Sequence, residues 1–227
     1  MTAPMAVTVR PTVEADFPAI IELCRRAYPG TQPWSADQLA SHLATFPEGQ
    51  LVATLPEDGR VVAMSASLVV WWDDYDLSAP WREFTAGGFF TNHDPARGRT
   101  LYGAEIMVDP QLRRRGVGQA IYGARRELTR RLGLLRIRAG ARLPGYGEHA
   151  GRLSPEQYAI EVVQGRLHDS TLTFQMKQGF AVLAVVSQYL RHDAESRGHA
   201  AVIEWLNPEV ATPEDSMGRD PRFRGSL

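Results

Sequence analysis

At 227 residues, with a formal net charge of -1, 44% hydrophobic and 22% charged residues, the chain is long enough for one well-buried core and ordinary for a soluble protein. That charge balance argues against a nucleic-acid binder, which would normally carry a basic excess. No apolar run approaches the ~18 residues of a membrane span, and Met1 to Arg10 lacks a signal peptide's apolar centre. A lone cysteine, Cys24, cannot close an internal disulfide, which fits a reducing, cytoplasmic compartment.

Taken in chain order, Val7-Thr8-Val9 predicts a first strand. Asp16 to Tyr28 predicts a helix stopped by Pro29-Gly30, with Ile20, Leu23, Cys24 and Ala27 on one apolar stripe; Cys24 is therefore expected in the core. Ser35-Ala36-Asp37-Gln38 has capping-box spacing ahead of Leu39, Leu43 and Phe46. Leu51 to Leu55 and Val61 to Trp71 predict strands split by the Pro56-Glu57-Asp58-Gly59 turn. Trp72 to Arg99 is aromatic and turn-rich, and Ala104 to Val108 predicts another strand. The long helix behind it carries Val117, Ala120, Ile121, Ala124, Leu128 and Leu132, and is closed by Gly133. Leu135 to Ala139 alternates as a strand, and Ser154-Pro155-Glu156-Gln157 opens a helix to about Val163. Asp169 to Gln178 predicts a short helix, and Phe180 to Leu190 with Ala200 to Leu206 a closing antiparallel pair. From Asn207 onward periodicity disappears, so 1–206 is expected to form one α/β domain and 207–227 a polar, mobile tail.

The segment Val108-Asp109-Pro110-Gln111-Leu112-Arg113-Arg114-Arg115-Gly116-Val117-Gly118-Gln119-Ala120 places three cations where a helix dipole already presents positive charge. Each costs about 0.3–1 kcal/mol there, and each glycine about 1 kcal/mol relative to alanine. Both penalties make sense if bare N–H groups and guanidinium forks normally hold an anion of phosphate type. The alternatives are a glycine-marked turn and a solvated arginine face.

In this order of elements, Arg113-x-x-Gly116-x-Gly118 after a strand, the Val108-Asp109-Pro110 lead-in and the Gly179-Phe180 pair make the chain similar to the GCN5-related N-acetyltransferase (GNAT) superfamily over residues 7–206. The resemblance implies a single domain with a mixed central β-sheet of about seven strands flanked by helices. It also implies acetyl-CoA as acetyl donor, its diphosphate held by Arg113, Arg114, Arg115, Gly116, Val117, Gly118 and Gln119, and its pantetheine arm paired along Ile106, Met107 and Val108. Phe46-Pro47-Glu48-Gly49-Gln50, Leu101-Tyr102-Gly103, Arg142-Leu143-Pro144-Gly145-Tyr146 and Phe174-Gln175 further resemble the acetyltransferase domain that some bacterial proteins carry ahead of a nitrilase-type hydrolase. The chain ends where such a second domain would begin, so hydrolase activity is not expected of it.

Transfer to an amine needs a neutral nucleophile and a proton for the departing thiolate. Glu105, just before the expected thioester position, is the first candidate for base or water-orienting group; its structural alternative is an ion pair with Arg136 or Arg138. Where many superfamily members carry a tyrosine as acid, this chain has Gln175, which leaves Tyr146 or water as donor; Tyr146 could equally be a packing residue. Trp71-Trp72-Asp73-Asp74-Tyr75-Asp76 reads either as a cation-accepting vestibule or, better, as an acidic loop anchored by tryptophan. His42, His93, His149, His168, His192 and His199 lack ligand spacing, so no metal is expected. His149 and His168 flank the long insertion from Gly140 to Asp169 and are candidates to line a substrate pocket. The expected acceptor is an amine of a small molecule or a protein, and two-fold association is compatible with the strand-edged architecture. A non-catalytic acyl-CoA-binding or regulatory module is the alternative function, motivated by Gln175.

Overall fold

The structure is a computed structural model that describes residues 5–191 and 193–225; His192 of the histidine survey lies outside the described residues. Seven strands form one mixed sheet: β1 (Thr8–Pro11), β2 (Leu51–Thr54), β3 (Val61–Val70), β4 (Thr100–Val108), β5 (Arg136–Arg142), β6 (Ala181–Val186) and β7 (Ala200–Leu206). Their order is β1-β2-β3-β4-β5-β7-β6. Every pairing is antiparallel except β4–β5, which is parallel and therefore needs a crossover helix. That helix, α4 (Val117–Arg131), lies on one face with α5 (Pro155–Val163) and α6 (Leu172–Lys177). On the other face α1 (Phe17–Ala27), α2 (Ala36–Thr45) and the one-turn α3 (Trp81–Phe84) cover β3 and β4. The sheet of seven strands flanked by helices is the architecture that the sequence implied.

The capping boxes form as read. Ser35 Oγ accepts the Gln38 N–H and Ser154 Oγ the Gln157 N–H, each returned by the glutamine side chain. Cys24 is buried on the α1 stripe. Three strands differ from expectation by three residues or more, one being β5, which runs on to Arg142 rather than ending at Ala139. β4 begins four residues earlier, at Thr100 rather than Ala104, because Leu101 and Tyr102 alternate into the two cores. β6 stops at Val186 instead of Leu190, since Gln188 turns left-handed (φ 56°) and directs Tyr189 back under the sheet.

Arg136 and Arg138 do not pair with Glu105. Arg138 lies across from Glu204 in the β5–β7 register and binds its Oε2 at 2.7 and 2.8 Å. Arg136 (3.6 Å) and Arg219 (2.7 Å) complete a cluster around this carboxylate, which is 1% exposed. Removing one partner of a buried ion pair leaves uncompensated charge, at a cost of about 3–5 kcal/mol. Glu204→Gln should therefore lower stability by about that amount in urea denaturation, and an unchanged midpoint would mean that the three guanidinium groups are solvated. The same contact fastens the polar segment after residue 206. Asn207 bonds Leu134 and Leu135 carbonyls, Arg222 reaches Glu156 at 3.1 Å, and Phe223 is buried in the α5 cluster.

Candidate active site

The parallel pair is short. Only Thr100, Leu101 and Tyr102 face Arg136, Ile137 and Arg138; from Gly103 and Ala139 onward the two strands have no ladder between them. Their separation is built in from both faces. From the α1 side Tyr189 inserts its phenol, which meets the Tyr102 hydroxyl and accepts the Gly140 N–H at 3.1 Å. A Cβ at Gly140 would lie 2.1 Å from that ring, so only glycine leaves room. From the α4 side Arg125 donates to the Ala66 carbonyl (3.1 Å) and the Glu105 carbonyl (2.6 Å), occupying space that a Cβ at Gly103 would contest at 2.9 Å.

At the mouth of this gap β4 bulges. Ala66 faces Glu105 and Ser67 faces Gly103, leaving Ala104 as the extra residue, with its carbonyl accepting from Trp81 Nε1 at 2.9 Å. The bulge rephases the strand. Met107 now faces α1 together with Tyr102 and Ala104, while Ile106 and Val108 face α4. Glu105 is half-buried; its Oε1 accepts the Tyr28 hydroxyl (3.1 Å) and the Ile106 N–H (2.9 Å). Desolvation raises its pKa above the ordinary carboxylate range, partly offset by those hydrogen bonds and by the Arg142 and Arg125 charges. Arg142 stands over the Tyr28 ring at 5.4 Å and is itself held by Asp193 (2.5 Å) and Glu195 (2.8 Å).

Beyond β4 the chain turns at Asp109. This buried carboxylate accepts the Gln111 N–H at 3.0 Å and binds Arg26 (3.2 Å) and Arg60 (3.4 Å), which ties α1 and the β2–β3 turn to the loop. Arg114 (φ 63°) and Gly116 (φ 86°) are left-handed; a non-glycine residue there costs about 1–2 kcal/mol. Unlike α2 and α5, α4 starts on Gly116 with no side-chain cap. Among the described residues the N–H groups of Gly116, Val117, Gly118 and Gln119 reach no protein acceptor, and Arg113, Arg114 and Arg115 are exposed without an ion-pair partner. A Cβ at Gly118 would lie 3.1 Å from the Phe174 ring. An uncapped helix end flanked by free guanidinium groups fits a diphosphate.

The other candidates lie elsewhere. Tyr146 is buried in the α5 cluster, its hydroxyl on the Leu153 carbonyl (3.4 Å) and its ring against His199 and Tyr158. Gln175 is buried and donates to the Tyr122 hydroxyl at 2.9 Å. In the acidic loop Trp72 stacks on Phe84 and under Arg138, Asp74 pairs with Arg97, and Asp76 binds Ser78, so those carboxylates anchor the loop. His149 leans on Tyr158 and His168 is exposed. No group of three metal-ligating side chains and no helix long and apolar enough to cross a membrane occurs among the described residues. Sequence reasoning missed Arg125, Tyr28, Arg142 and Tyr189. Arg125 did leave a trace, since it sits on the apolar stripe between Ile121 and Leu128 where a cation does not belong.

The profile of the acetyltransferase (GNAT) family matches residues 17–147. Two relatives from Bacillus subtilis (strain 168) are each 36% identical. One, "Uncharacterized N-acetyltransferase YkwB", aligns over 206 residues, 89% of either chain. The other, "Probable hydrolase YhcX", aligns over 201 residues, 88% of this chain but 39% of its own length, so the chain spans well under half of that relative. Among solved structures, a "GphF GNAT-like decarboxylase in complex with isobutyryl-CoA" superposes with a TM-score of 0.72 at 22% identity, covering 88% of this chain and 99% of that one. At that identity the likeness is one of fold.

Proposed function

Since the chain belongs to the acetyltransferase (GNAT) family, we propose that it is an acetyl-CoA-dependent N-acetyltransferase acting on a primary amine of a small molecule or a protein. The observation that carries this reading is the alignment of three features along one strand. The unsatisfied N–H groups of α4 lie past the end of β4, the unpaired half of β4 follows the gap, and a desolvated carboxylate stands at the bulge.

Bound there, acetyl-CoA supplies an activated acyl group. Gly116 to Gln119 and Arg113 to Arg115 hold the diphosphate, and Ile106, Met107 and Val108 offer the strand edge that β5 leaves unpaired. Glu105 is assigned to the amine. Presenting an alkyl ammonium in neutral form at pH 7 costs about 4–5 kcal/mol, and a carboxylate within one water of it accepts that proton. Trp81 and Arg125 fix the bulge that aims Glu105. Tyr146 is given no proton-transfer role, because its hydroxyl is spent on the Leu153 carbonyl.

A second reading, a non-catalytic acyl-CoA-binding module, is favoured by Gln175, which cannot protonate a thiolate. Calorimetric titration with acetyl-CoA followed by an amine panel read by free-thiol release separates the two. Micromolar binding with amine-dependent thiol release is the expected result. Binding without turnover on any amine leaves the module, and no binding at high micromolar ligand removes both.

A further inference from the structure

Arg125 is 1% exposed, yet among the described residues no carboxylate lies within 4 Å of it. Its partners are two backbone carbonyls, Ala66 and Glu105, and its Nε has none. Buried guanidinium groups are ordinarily paired, because a desolvated charge without a counter-ion is costly. The other charges around Glu105 are accounted for. From β5, Arg142 is neutralised by Asp193 and Glu195; from α1, Tyr28 donates to Glu105 with Cys24 behind it; and Tyr102 and Tyr189 face each other. Arg125 is the cation without a direct ion-pair partner; Glu105 feels its charge only at longer range.

Its position gives the surplus a purpose. Gly118, Tyr122 and Arg125 form one stripe of α4 at i, i+4 and i+7 spacing. The stripe runs from the uncapped helix end, past Phe174, to the place where β4 leaves β5. Along it the Tyr122 hydroxyl accepts from Gln175 Nε2 at 2.9 Å, while Gln175 Oε1 is buried without a partner. The guanidinium carbon of Arg125 is 5.7 Å from the Tyr122 ring. A buried positive charge beside the gap and, one turn of α4 away, a phenol bonded to a half-satisfied amide thus stand on the α4 side of the sheet.

We propose that Arg125, with the Tyr122 hydroxyl, stabilises the negative charge that forms on the sulfur of the coenzyme A thioester. The assignment rests on the acyl-transfer reading above and deepens it. As the amine nitrogen bonds to the acyl carbon, the C–S bond breaks and its electron pair passes to sulfur. The surplus amine proton leaves on the Glu105 side, and water finally protonates the thiolate. A charge already in place for that moment costs no reorganisation, and the arrangement does without a tyrosine at position 175.

The test needs no acceptor. Coenzyme A is bound to the full chain, binding is verified by calorimetry, and the bound thiol is titrated by the ultraviolet absorbance of its thiolate. The ligand-free protein, with its buried Cys24, supplies the baseline. In the wild type the bound thiol should titrate about one pH unit below free coenzyme A, the shift of a nearby opposite charge. Arg125→Gln should return it to the free value and Tyr122→Phe should return part of it, each read at a coenzyme A concentration that calorimetry shows to saturate the variant. A wild-type complex that titrates like free coenzyme A overturns the proposal, as does a folded Arg125→Gln that keeps the shift. Should Arg125→Gln fail to fold, Tyr122→Phe and Arg125→Lys decide: an unmoved midpoint in Tyr122→Phe overturns the phenol's part, and Arg125→Lys should keep most of the shift if charge is what matters. Failure of coenzyme A to bind at all would instead strike the acyl-transfer reading itself.

Discussion

Glu105→Gln is expected to lower kcat at neutral pH by roughly tenfold or more while leaving acetyl-CoA affinity unchanged. The substitution keeps the shape and the acceptor oxygen for Tyr28 and Ile106, and removes only the ability to take a proton. Burial raises the Glu105 pKa, so the ionised, active form is lost as pH falls through a midpoint above the ordinary carboxylate range. Tyr28→Phe deletes a hydrogen bond that holds this pKa down and should move the acid limb of the kcat profile to still higher pH. Stability runs the other way. A carboxyl whose folded pKa is raised adds stability below its unfolded pKa and loses it as pH rises through the folded one. Glu105→Gln should therefore be neutral or stabilising at pH 7, a signature that a merely structural carboxylate would not give. An unchanged pH–rate profile in Glu105→Gln would transfer the role to another group.

The second large effect is expected at the helix end. Gly118→Val places a branched side chain against Phe174, where even a Cβ would lie 3.1 Å from the ring, and covers the N–H groups that no protein atom uses. Losing a diphosphate bound through backbone N–H groups and a helix dipole should weaken acetyl-CoA binding by about a hundredfold in calorimetry. The melting temperature should fall by only a few degrees, since Gly118 opens the helix rather than lying in its middle. A variant that binds acetyl-CoA like the wild type would show that the ligand docks elsewhere, and would take the acyl-transfer reading with it.

The elements that local chemistry specifies were legible in the residues themselves. Ser35 and Ser154 announce their helices because a hydroxyl three residues ahead of a glutamine satisfies two orphan amides at once. Arg113 to Gly118 stand out because charge and glycine sit there at a local cost, and the helix that follows does start without a side-chain cap. What was not legible depends on distance in sequence. Glu105 chooses Tyr28 over Arg136 and Arg138 because Glu204, a hundred positions away on β7, already holds both arginines in register. In the sequence Tyr146 is open between proton donor and packing residue, and only the fold of α5 over it supplies the neighbours that make it the latter. Tyr189 read as the end of an apolar strand, and only the left-handed turn at Gln188 reveals that its phenol belongs between β4 and β5.

That phenol has a kinetic consequence. With Tyr102 and Gly140 already bonded to it, the two parallel strands are unzipped past Tyr102 and Arg138 before any ligand arrives. A linear guest can slide in without prising apart a hydrogen-bonded ladder, so association should proceed in a single phase whose rate rises linearly with ligand concentration. Shrinking the prop, as in Tyr189→Ala, would let the strands relax toward one another. Every binding event would then begin with the work of separating them again.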